Sequence, residues 1–178
     1  MGYRDKAVLA PLEINLSDIE GFDGSNSIQE SAKLTWLEEH LLIPIDEAGF
    51  AENQEEYEAA YDLVFEAFDE LEENLETNRY LMGERITPVD IRLYSVLVRF
   101  DSIFYFAYRL NKHKVQDYKN LFRYARELYH IAPFHEATDL QGIKKAYYEA
   151  QTEIQNPYHL IMEGPDLSAW ETAGDTEQ

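Results

Sequence analysis

The 178-residue chain contains no cysteine. Disulfides, thiolate metal sites and thiol catalysis by this polypeptide are therefore excluded. Long apolar runs are missing too, and nothing approaches the roughly 18 consecutive apolar residues of a membrane-spanning helix. Met1 to Ser17 hold no apolar stretch behind a basic end, so no signal peptide is visible and a soluble, cytoplasmic protein is expected. Basic residues are scarce: 15 Lys and Arg stand against 35 Asp and Glu, for a net charge of −20. Such a surface repels nucleic acid and anionic lipid, so neither a nucleic acid nor a membrane is expected as a partner. It also repels copies of itself unless the contact face is apolar. Strand-like alternation of any length is absent, as are internal repeats.

What is present is a core. Hydrophobic residues make up 45% of the chain, which places it with folded domains rather than acidic disordered tails. Residues 1–25 are irregular, punctuated by Pro11, Gly21 and Gly24; they read as an arm lying on the domain or as the remnant of something longer. The spacing predicts a first helix over 28–42, with Ser25, Asn26 or Ser27 as cap, Glu30 at the third position, and Pro44 ending or kinking it. A second helix follows Asn53 and Glu56. Its Tyr57, Tyr61, Val64, Phe65, Phe68, Leu71 and Leu75 recur at helical spacing opposite an acidic face. Thr87 is placed to cap a third helix, Pro88 suits its first position, and Asp90 can return a bond to the Thr87 backbone. That helix is apolar on nearly all sides and belongs inside a bundle. A fourth helix spans roughly 117–130 and is closed by Pro133. A fifth starts at Thr138, with Gln141 in the capping-box position, runs to about Thr152, and is broken by Asn156-Pro157. The fold expected is all-α, a bundle of five or more helices over 26–165, followed by an acidic coil-like tail over 166–178.

The stretch from Gly49 to Pro165 resembles the helical C-terminal domain of the glutathionyl-hydroquinone reductases, the Xi-class glutathione transferases. Ala48-Gly49-Phe50-Ala51, the run Arg79 to Thr87, Asp90-Ile91-Arg92-Leu93 and Val98-Arg99-Phe100-Asp101 carry the likeness. Asp117-Tyr118, Asn120-Leu121, Asn156-Pro157 and Gly164-Pro165 continue it in the same order. The Thr-x-x-Asp cap is general to glutathione transferases; the Val-Arg-Phe-Asp run with the later Asn-Pro is much narrower. The resemblance implies a thioredoxin-like domain, which is not found in this chain, binding glutathione and supplying a cysteine. That cysteine attacks the glutathionyl sulfur on a hydroquinone, and the helical domain supplies walls of the hydroquinone pocket. The expectation is therefore a pocket domain that is not catalytic alone. It would bind no cofactor of its own, and glutathione would enter only with a thioredoxin-like domain supplied in trans. A homodimer is implied by the same resemblance. The alternative is a non-catalytic dimerising or ligand-binding module.

No catalytic residue is assigned. Tyr147 falls where the family places a late pocket tyrosine, and Phe104 stands at the position of another. Ile45, Asp46 and Glu47 occupy the stretch of an earlier one, and Ala107 and Ala146 stand where the family has histidines. Arg99 is the best single candidate for a functional role, because a guanidinium in so apolar a helix must be paired. Its structural reading is an ion pair with Asp101 or with an acid of a neighbouring helix. Tyr105, Tyr108, Tyr124, Tyr148 and Tyr158 join Tyr147 as possible pocket aromatics, or as core residues whose hydroxyls reach water. Thr87 and Asp90 read as a cap. The single Glu127-x-x-His130 spacing lacks the further ligands of a di-iron bundle, so no metal is expected.

Overall fold

The computed structural model describes residues 4–172 and contains helices and turns, with only an isolated bridge between Tyr80 and Gly83 among those residues. A short helix α1 (Lys6–Leu9) is capped by Asp5, whose carboxylate accepts from the Val8 amide at 3.3 Å. The arm is thus not wholly irregular: besides α1 it forms a 3-10 turn at Leu16–Asp18, and it buries Val8, Leu9, Ile14 and Ile19. A four-residue helix has no local periodicity to announce it, so the body beneath it fixes its conformation.

Ser27 and Glu30 form the predicted capping box. The Glu30 amide donates to Ser27 Oγ at 3.1 Å, and the Ser27 amide donates to Glu30 Oε2 at 3.2 Å. Helix α2 (Ile28–Leu37) then passes through a π turn (Glu38–Leu42) into α3 (Ile43–Gly49). The helical path continues through Pro44 rather than stopping there. Pro44 has no amide hydrogen, and the widened turn just ahead of it absorbs the lost bond. Helix α4 (Gln54–Thr77) starts at Asn53, which accepts from the Glu56 amide at 2.9 Å. Its buried stripe of Val64, Phe65, Phe68, Leu71 and Leu75 lies opposite its acidic face.

After a tight turn that needs glycine at Gly83 (φ 114°), α5 (Pro88–Arg99) begins. A second π turn (Phe100–Phe104) leads into α6 (Tyr105–Ala107). A 3-10 turn at Val115–Asp117 precedes α7 (Lys119–Tyr129), α8 (Ala132–Glu136), α9 (Leu140–Ala150) and α10 (Ser168–Glu171). Helix α5 is the centre: α1, α2, α7 and α9 all pack on it, and ten of its residues are buried. This is the interior position its all-round apolar sequence demands.

Three local expectations change. Pro133 sits in the first turn of α8 instead of closing α7. Asp139, not Thr138, caps α9 and accepts from the Gly142 amide at 2.8 Å. The buried Thr138 hydroxyl is engaged elsewhere, donating to the Phe134 carbonyl at 2.6 Å and meeting Tyr94 Oη at 2.9 Å. Helix α9 ends at Ala150, ahead of Asn156-Pro157. The chain beyond it is coil until α10, whose Trp170 is buried against Phe122 and Tyr129. The acidic end at 173–178 lies outside the described residues.

Gly49 meets the Tyr108 ring so closely that a Cβ there would fall 2.5 Å from Cδ2. The ring cannot retreat, being packed on Phe50 and Phe104 at 5.8 and 5.1 Å between centroids. Gly49→Ala is expected to destabilise the fold by about 1–3 kcal/mol, outweighing the gain of about 1 kcal/mol in helix propensity. A lower urea midpoint with an unchanged slope would show it.

Candidate functional site

An arm of little regular structure carries main-chain donors and acceptors that need partners. Helix α5 supplies several from one face, because residues spaced three and four apart lie side by side. Arg92 Nη1 donates to the Leu9 carbonyl at 2.6 Å. Ser95 Oγ accepts from the Leu12 amide at 2.9 Å. Arg99 Nη1 donates to the Ala10 carbonyl at 2.8 Å and to the Ser95 carbonyl of its own helix at 2.7 Å. From α3, Asp46 Oδ1 accepts from the amides of Arg4 and Asp5 at 2.9 and 3.3 Å. Ser95 and Asp46 were not singled out from the sequence. The 92–95–99 spacing was the available signal for Ser95.

Where the arm, α5 with its π turn, and α9 meet, they border a cavity of about 390 Å³ that opens to solvent past the exposed Ala7, Ala146 and Ala150. Val8, Ile103, Ile143 and Ala146 give it apolar walls, and Asp5, Arg99, Tyr147 and Gln151 bring the polar groups. Arg99 and Tyr147, two of the four pocket candidates, thus line one space. Burial raises the Tyr147 hydroxyl pKa, and its ring stacks edge-on to Tyr148 at 5.2 Å. The other two candidates do not line it. Phe104 is fully buried against Phe100 and Tyr108. Tyr108 is 3% exposed and reaches the cavity only indirectly, its hydroxyl donating to Asp5 Oδ2 at 3.3 Å. Of the other tyrosines, Tyr124 is sealed in the core, Tyr148 donates to the Ser102 carbonyl at 3.2 Å, and Tyr158 is 81% exposed.

The expected ion pair of Arg99 is not found. Residues two apart on a helix point to different sides, and Asp101 instead accepts the amides of Val115 at 2.6 Å and Gln116 at 3.3 Å. No acid among the described residues pairs with Arg99, which is 8% exposed. Burial, and then the nearby Arg92 charge, push its pKa down to about 10, so it stays protonated at neutral pH.

Asp90 does more than cap. Its Oδ2 accepts from the Thr87 amide and hydroxyl at 2.8 and 3.0 Å, while Oδ1 accepts from the Leu81 amide and the Tyr124 hydroxyl, both at 2.9 Å. One buried carboxylate thus ties the Gly83 turn, α5 and α7 together. Glu127 is engaged by Arg79, Tyr80 and Arg123 rather than by His130. Among the described residues no three His, Cys, Asp or Glu side chains converge on a point where a metal could sit.

The class these helices define is the C-terminal domain of the glutathione S-transferases, and residues 54–127 match the family of that description. The chain is similar to proteins named glutathionyl-hydroquinone reductases and Xi-class glutathione transferases, the likeness that the sequence motifs implied. It is 35% identical over 130 residues to the glutathionyl-hydroquinone reductase of Escherichia coli K12, covering 73% of this chain and 39% of that protein. It is 36% identical over 118 residues to the reductase of Sphingobium chlorophenolicum, covering 66% and 37%. The Xi-class transferase of Natrialba magadii superposes with a TM-score of 0.76 at 30% identity, over 82% of this chain and 44% of that one. The chain therefore spans about two fifths of the length of the curated relatives it matches.

Asp101 carries a pH dependence. Burial drives its carboxyl up to about 6, against the pull of two amide donors. The folded chain then takes up a proton as pH falls through 6, whereas the unfolded chain waits until about 3.9. This contribution to stability is complete below about pH 4 and is lost as pH rises through 6. Between pH 7 and pH 5 the wild type is expected to gain more stability than Asp101→Asn. Urea midpoints at the two pH values measure the difference, and equal gains would contradict it.

Proposed function

We propose that this helical domain is the ligand-holding part of a glutathione-dependent reductase of the hydroquinone type, with an aromatic ligand seated in the cavity against Tyr147. The observation that carries this reading is the cavity itself: apolar walls, a few convergent polar groups and a volume suited to a small aromatic. The names of the relatives supply the ligand class.

The domain performs no thiol exchange by itself. Attack on a glutathionyl sulfur needs a thiolate as nucleophile, and the thiolate must later serve as leaving group. Methionine is the only sulfur residue in this sequence. The thiol and the glutathione site come from a thioredoxin-like domain acting beside these helices. The chain alone is expected to give no turnover of a glutathionyl-hydroquinone with glutathione. It is expected to bind hydroquinone in calorimetry, and Ala146→Trp, which fills the cavity, to abolish that binding without lowering the melting temperature. Turnover by the cysteine-free chain would refute the first statement, and unaltered binding in Ala146→Trp the second.

A second reading, a dimerising module, is favoured by one feature. Ile154, Tyr158, Leu160, Ile161 and Met162 are all exposed on the coil after α9, an apolar patch on an otherwise acidic surface. Pairing through it would work against a charge of −20 per chain and is expected to strengthen with salt. Sedimentation velocity at low and high ionic strength tests this. A monomer at both would exclude the module.

A further inference from the structure

We propose that the cavity selects a ligand bearing a carboxylate, bound by the guanidinium of Arg99, an assignment that rests on the cavity being the ligand site. A guanidinium carries five N–H donors. The two bonds Arg99 makes both leave from Nη1, one to Ala10 O and one to Ser95 O. That leaves Nε and Nη2, with one N–H of each on a common edge of the fork, and no acceptor for them among the described residues. Their edge is the one that matches a carboxylate bidentately.

The surroundings make this edge unusual. Taking a cation out of water is costly unless an anion compensates it. Several other arginines are engaged with acids, while Arg126 meets the Thr172 hydroxyl and the Phe122 ring. Arg79 and Arg123 share Glu127, and Arg92 reaches Glu38. Arg99 is the buried cation at the cavity wall, and neutral carbonyls are its acceptors. Asp5 lies on the same cavity, but its carboxylate is turned to the Val8 amide and the Tyr108 hydroxyl and makes no ion pair with Arg99. The walls beside Arg99 are Ile103, Ile143 and Ala146, so an apolar ring can follow the acid group into the cavity. Long-range attraction cannot account for such a ligand, because the protein as a whole repels anions; only the short-range fork can.

The test uses the intact chain and three probes: hydroquinone, 2,5-dihydroxybenzoate and the methyl ester of that acid. At neutral pH the acid is expected to bind at least about tenfold more tightly than the ester or hydroquinone, in line with the strength of a charged bidentate bond. Arg99→Gln should abolish the preference, bringing acid and ester to equal affinity, and Arg99→Lys should restore part of it. Since Arg99 also anchors the arm, Asp5→Asn provides a second variant, because Asn retains the cap on α1. Removing that negative charge should tighten the acid several-fold relative to the ester. Equal binding of acid and ester by the wild type would overturn the carboxylate assignment and leave the hydroquinone reading intact. A preference that survives in Arg99→Gln would overturn it likewise. If none of the three probes binds, both readings fall.

Discussion

Arg99 joins the last turn of α5 to the arm's Ala10 carbonyl, and the cavity exists because that contact holds the arm over the helix end. Ser95 and Arg92 add further connections one and two turns upstream, and Asp46 fastens the start of the arm from the other side. The result is a segment of little regular structure held to a rigid helix by its main chain as well as by the burial of Val8, Leu9, Ile14 and Ile19.

The same use of cations recurs through the fold and bears on its acidity. Arg109 donates to the carbonyls of Ala48 and Gly49 at the end of α3, and Arg123 to those of Leu75 and Asn78 at the end of α4. These are the orphan carbonyls at the negative ends of helix dipoles, where a guanidinium is best placed. Lys144, nearly buried, donates to the Glu163 carbonyl. Many of the 15 basic residues are therefore turned inward onto the backbone, while many of the 35 acids face water. The charge imbalance is felt more strongly at the surface than the composition suggests.

What the sequence made legible was local. The α4 stripe, the Ser27–Glu30 box and the Thr87–Asp90 cap are set by residues within one or two turns, and the motifs place the helical domain in its family. What escaped was decided by partners far along the chain. Thr138 loses its cap role because Tyr94, 44 residues away, engages its hydroxyl. Asp101 turns to the Val115 amide instead of its neighbour Arg99. Phe104 and Tyr108 are aromatic in the manner of pocket residues, yet the packing around Gly49 and Phe100 draws them into the core. Tyr147 and Arg99 could be nominated from the chain, but that they share a space depends on an arm whose position no local pattern encodes.

The widened turn at Phe100–Phe104 has a geometric consequence. An α-helix advances 100° per residue, so one residue more in a single turn offsets all that follows by that angle. Upstream, α5 is phased to place Arg92, Ser95 and Arg99 in one row beneath the arm. Downstream, the offset is what lets a continuous rod present Phe104 to the interior while Tyr105 and Phe106 stand half out of it. The rod behaves as two screws with independent threads, and each can be tuned by evolution without retiming the other.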